Sequence, residues 1–187
     1  MMQENLPKRL NLSYSKDVFD IVQFGSSVLV GIAPNDFDVA VIFFKIPLKE
    51  QLEEAQRIKR QIETKTKLQV HIKAYDLYSF FDKSNFAKEG ILFYGKSVIS
   101  GEPFAMKFSL SPKLQIHYNL SNLKKKDKVK FNYLLNGKQG EYGLLRKYGG
   151  KILRPGLVEI SPEHEKIFIG EMKKITSELE LRKVLEV

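Results

Sequence analysis

Two aspartates, Asp36 and Asp38, flank one phenylalanine where the chain enters the apolar run Val39-Ala40-Val41-Ile42-Phe43-Phe44. Residues i and i+2 of a strand project from the same face, so this Asp-x-Asp pair presents two carboxylates side by side. Carboxylates held that close repel one another and call for a cation between them. Upstream, across a gap of nine residues from Ser27 to Asn35, lies Gly25-Ser26. Glycine lets a ligand come close to the backbone, and Ser26 and Ser27 offer hydroxyls, with amides if a helix begins there, to phosphate oxygens. A polyanion bridged to Asp36 and Asp38 by magnesium satisfies both halves. The chemistry this allows is metal-assisted transfer at phosphorus, in which one oxygen is activated for attack and another is stabilised as it leaves.

The surrounding residues read as elements able to hold these groups. Phe19 to Phe24 is a short buried strand that stops at Gly25-Ser26-Ser27, and Ala33-Pro34-Asn35 supplies a turn before Asp36. Beyond Asp38 the chain is apolar on both strand faces, as suits a central strand covered from two sides. Leu48, Leu52, Ala55, Ile58 and Ile62 fall on one face of a helix, with Glu53 and Arg57 as an i,i+4 pair elsewhere on it. Leu68, Val70, Ile72 and Ala74 then alternate with Gln69, His71 and Lys73, the pattern of a half-buried strand. Asp76 is placed to cap a short helix from Leu77.

Phe24-Gly25-Ser26 followed by Asp36-Phe37-Asp38-Val39-Ala40-Val41 resembles the signature of the polymerase-beta-like nucleotidyltransferase superfamily. The order of strand, helix from Leu48 and strand from Leu68 fits it too, as does Glu89-Gly90-Ile91-Leu92-Phe93-Tyr94-Gly95, which resembles the family's segment closing on Tyr-Gly. The resemblance spans roughly residues 15–101. It implies an α/β (α+β) domain with a mixed sheet flanked by helices. It also implies Mg²⁺ or Mn²⁺ on Asp36 and Asp38, a nucleoside triphosphate against Gly25, Ser26 and Ser27, and transfer of a nucleoside monophosphate to an acceptor hydroxyl on nucleic acid, protein or a small molecule. Relatives carry a third acid on the later strand; here that slot holds His71. A neutral imidazole accepts a proton, so His71 is either the base or simply a residue of the strand's polar face. The rival implication is a degenerate, antitoxin-like member that binds a nucleic acid or protein partner without turnover.

Composition narrows the field. Cysteine is absent, which excludes disulfides, thiolate–zinc sites and cysteine nucleophiles. His71, His117 and His164 are too far apart in sequence for a local metal motif, so hard-cation chemistry on carboxylates is the reading. Hydrophobic residues at 43% support a real core. The longest apolar run, Val39 to Phe44, is too short to cross a bilayer, and Met1 to Leu12 has no apolar leader; a cytoplasmic protein without membrane association is expected.

The texture changes near Ser109, which sets the expected division at 1–109 and 110–187, the second part a small basic α/β appendage. Leu114, Ile116, Tyr118 and Leu120 alternate like a strand, and Val129 to Leu135 reads as a helix stopped by Gly137. Arg154-Pro155-Gly156 reads as a turn between two short strands, and Ser161-Pro162-Glu163 as the start of a final helix. The net charge of +9 favours phosphate-bearing partners, and Lys124, Lys125, Lys126, Arg146, Lys147, Lys151 and Arg154 flank tyrosines in a way that suits RNA or DNA. Lysine runs are also commonly solvated loops, and Tyr133, at helical spacing from Val129, reads as core.

Overall fold

The computed structural model describes residues 9–187. The reading of Met1–Lys8 as part of a leaderless start lies outside the described residues. The chain is an α+β protein with two four-stranded sheets, one mixed and one antiparallel, and six α-helices among the described residues. No described helix is long and apolar enough to cross a membrane. Two compact units result: one ends at Val28 and resumes over Ile32–Ser109, the other comprises Leu29–Gly31 and Leu110–Val187.

In the first unit the sheet order is β3-β2-β1-β4, with β1 (Val18–Phe24), β2 (Asp36–Phe43), β3 (Gln69–Asp76) and β4 (Lys96–Ser97). β1 runs antiparallel to β2 and β4, whereas β2 and β3 are parallel and need a crossover, supplied by α1 (Leu48–Glu63). The strand β2 has two different faces. Phe37, Val39, Val41 and Phe43 bury into one core with Ala55, Ile58 and Ile62 of α1. Ala40 and Ile42 bury into a second core with Val22, Phe80, Ile91 and Phe104, covered by α2 (Leu77–Phe81), α3 (Lys88–Tyr94) and the short 3-10 helix Phe104–Phe108. That is why Val39–Phe43 lacks alternation: both sides are dry.

Between Val18 and Asp20 the β1–β2 register shifts by one residue, a bulge that turns Asp20 inward. Asp20 is fully buried. Its Oδ1 accepts from Ser97 Oγ at 2.7 Å and from the Ile21 amide at 2.8 Å. Oδ2 has no hydrogen bond and lies 3.8 Å from Lys107 Nζ. Burial pushes this carboxyl above the usual range, against the opposing pull of Ser97, the Ile21 amide and Lys107.

The helix α1 forms where the periodicity places it, but its apolar stripe is incomplete. Leu48 and Leu52 are exposed, at 65% and 51%, while Gln51 is buried with its Nε2 donating to Ile46 O at 2.9 Å. The buried stripe runs Gln51, Ala55, Ile58 and Ile62, so Gln51 takes the inward position of the first turn and Leu48 and Leu52 fall outside it. The expected Glu53–Arg57 pair is replaced by Arg57–Glu54 at 2.6 Å, because Glu54 also accepts the Ser15 amide and is held in reach. Asp76 caps α2 as expected, accepting from the Ser79 amide at 2.7 Å.

The second unit's sheet has the order β6-β7-β5-β8, with β5 (Ser111–Tyr118), β6 (Lys151–Arg154), β7 (Leu157–Ile160) and β8 (Leu179–Glu186). Leu120 falls outside β5. Helices α4 (Lys125–Asn136), α5 (Leu144–Tyr148) and α6 (Glu165–Met172) complete it. The lysine run is therefore the N-terminal end of α4 and not a loop. Tyr133 is 44% exposed, since Phe131 and Leu135 take the buried positions of that helix. The turn Arg154-Pro155-Gly156 joins β6 to β7 as expected. The final segment does not stay helical: α6 ends at Met172, and Leu179–Glu186 pairs along the whole of β5, whose outer edge would otherwise be unpaired.

Candidate functional site

The site follows from the register of three strands. Asp38 is paired with Phe24 of β1 on one side and with His71 of β3 on the other. Asp36 is paired with Gln69. Because β2 and β3 are parallel and in phase, Asp36, Asp38 and His71 share the face on which Ala40 and Ile42 lie further along. The helices that cover Ala40 and Ile42 do not extend over the acids, whose side chains remain 35% and 26% exposed; His71 is 49% exposed. The site is thus an open shelf at the start of β2.

His71 Nδ1 stands 3.5 Å from Asp38 Oδ1 and 3.6 Å from Asp36 Oδ2, too long for a good hydrogen bond but close enough to share one cation. One ligand atom from each of Asp36, Asp38 and His71 lies within 4.8 Å of the others. Two carboxylates suit Mg²⁺ or Mn²⁺, with remaining positions left to water or phosphate oxygens. An imidazole in the third place is less usual for magnesium and agrees better with manganese and later metals. The donor set therefore fits a divalent cation without selecting one.

Gly25 stands against Asp38. It begins a single 3-10 turn, Gly25–Val28, with a φ of 75°, a left-handed conformation that glycine adopts without strain. A Cβ at this position would overlap Asp38 Oδ2. The two serines behind it differ. Ser27 Oγ donates to Phe24 O at 3.0 Å and accepts from Gln23 Nε2 at 3.1 Å, so its hydroxyl is committed to the turn. Gln23 is paired with Val39 and so shares the α1 face, away from Asp38. The hydroxyl of half-buried Ser26 makes no hydrogen bond among the described residues. Gly25 and Ser26 are thus the free part of the turn.

Two residues given no role from sequence belong to this arrangement. Gln23 fixes the turn, and only the fold reveals that its amide reaches four residues forward. Lys73 is exposed, two residues past His71 and paired with Ala40, which puts a cation on the acids' face of the sheet. Its place in an alternating strand was visible, but not its alignment with β2. Of the basic residues read as partner-binding, Lys151 is tied to Glu159 at 2.9 Å, and the others are exposed in the second unit.

Comparison of the chain with protein-family models, curated proteins and solved structures gives no match.

Proposed function

We propose that this protein is a nucleotidyltransferase that binds a magnesium- or manganese-bound nucleoside triphosphate on Asp36, Asp38, Gly25 and Ser26 and passes a nucleoside monophosphate to an acceptor hydroxyl. The observation that carries the reading is the convergence of Asp36, Asp38 and His71 within 4.8 Å beside a turn whose glycine backs directly on Asp38. The likeness to the polymerase-beta-like superfamily in the Gly-Ser and Asp-x-Asp motifs, carried by the same residues, also supports it. When bound, the cation neutralises phosphate charge and polarises the reacting phosphorus.

The chain's own residues do the rest. Asp36 and Asp38 anchor the cation, while Gly25 and Ser26 leave room and donors for the phosphate tail. The acceptor oxygen attacks the α-phosphorus, the bond to the β-phosphate oxygen breaks, and pyrophosphate leaves. In this reading His71 stands beside the cation and does not ligate it, and its imidazole receives the proton given up by the attacking hydroxyl. Radiolabelled triphosphate incubated with Mg²⁺ or Mn²⁺ and a mixed pool of acceptors should label one of them, and Asp38→Asn should reduce labelling by about 10³-fold or more. Equal labelling by the variant would remove the proposed mechanism.

A second reading draws on the same geometry. With an imidazole where a third carboxylate would complete the cation's anionic shell, the fold suits a binding protein that has lost turnover. Calorimetry separates the two: cation-dependent triphosphate binding favours the enzyme, and cation-independent binding or none favours the partner protein.

A further inference from the structure

Between Lys124 and Arg154 the chain carries ten lysines and arginines against two acids, Asp127 and Glu141, which accounts for nearly all of its net charge of +9. Of those ten cations only Lys151 is paired with a carboxylate among the described residues. Such charge left unneutralised on rigid elements has a cost in self-repulsion that a polyanionic partner would relieve. The cations are concentrated on two helices that pack against each other, α4 and α5.

The helix α4 buries Phe131 and Leu135 and turns Lys125, Lys126, Lys130, Asn132 and Tyr133 to solvent. Its 12 residues form a rod about 18 Å long. Arg146 and Lys147 project from α5 and are exposed. Arg154, at the β6–β7 turn, lines a depression with Glu178 and Glu180 and lies off the two helices. The exposed tyrosines are not bare stacking platforms: Arg146 lies over Tyr142 at 4.1 Å and Lys138 over Tyr133 at 5.9 Å. Single-stranded nucleic acid, which is held by open aromatic faces, is the poorer fit. An exposed cationic helix with asparagine among its lysines fits the wide major groove of B-form DNA, whereas the deep, narrow groove of A-form RNA does not admit one.

We propose that α4 and α5 form a binding surface for duplex DNA, held through the phosphodiester backbone. Fluorescence anisotropy of the full chain with a labelled DNA duplex tests this, using Lys126→Ser/Lys130→Ser/Arg146→Ser against the control Lys173→Ser/Lys174→Ser on the segment after α6. Affinity should fall by about tenfold or more in the first variant and less than about twofold in the control, with the log–log salt slope shallower by about 2–3 in the first. Circular dichroism establishes that both variants are folded. Equal losses in the two variants, no loss in either, or tighter binding of single-stranded RNA than of duplex DNA would each overturn the proposal. Asp38→Asn, which disables the proposed triphosphate site, should leave duplex binding unchanged, so the two readings fail separately.

Discussion

His71 Nδ1 lies 3.5 Å from Asp38 Oδ1 because the two residues are direct partners across parallel strands. The contact is therefore set by the sheet and not by side-chain chance, and any function of Asp38 is exercised next to an imidazole.

If His71 takes the proton from the acceptor, His71→Ala should cut transfer by about 10²-fold while changing triphosphate affinity by less than about threefold. An unchanged rate would reduce His71 to a residue of the polar face.

Gly25→Ala combines two faults. The left-handed backbone costs an alanine about 1–2 kcal/mol. The added methyl would also overlap the Asp38 carboxylate and force it aside. We expect a modest loss in urea stability but at least a tenfold weakening of cation-dependent triphosphate binding by calorimetry. A destabilised variant with undiminished affinity would show that Gly25 serves the fold alone.

Asp20 makes a prediction about stability. Its folded pKa is raised by burial, so the native state favours the protonated form more than the unfolded chain does. Its contribution is therefore most favourable at low pH and is lost as pH rises through the raised value, where an ionised carboxylate with one unsatisfied oxygen must be kept in the core. Asp20→Asn retains an acceptor for Ser97 and removes the charge. It should gain on the order of 1 kcal/mol relative to the parent at about pH 8 and little or nothing at about pH 4. Urea melts across that range measure the difference. A constant offset across that range would show that burial leaves the Asp20 carboxyl unshifted, and a loss that grows with pH would show that Lys107 holds it ionised.

Much of this was legible in the chain. The parity of Asp36 and Asp38, the two-sided burial beyond them, the cap at Asp76 and the hairpin at Arg154-Pro155-Gly156 all follow from local rules, and the structure agrees with each. What escaped depended on distant partners. Nothing near Leu48 or Leu52 says that Gln51 takes the inward position of that turn. Gln51 and Glu54 are held by Ile46 and Ser15, which local periodicity does not register. Leu179–Glu186 has a weak alternation that becomes a strand only because β5 has an edge to be covered. At the site, the two motif serines look alike in sequence, and only the position of Gln23 separates Ser27 from Ser26.

The acids sit at the head of a row that continues inward as Ala40 and Ile42. Sliding β2 by one position would expose Phe37 and Val39 and drive two carboxylates beneath α1, an exchange no folded state would tolerate. Spatial fidelity of the shelf is thus guarded by the oiliness of residues that never meet a ligand. A single insertion between Asp38 and Val41 would dismantle the shelf and the cores together.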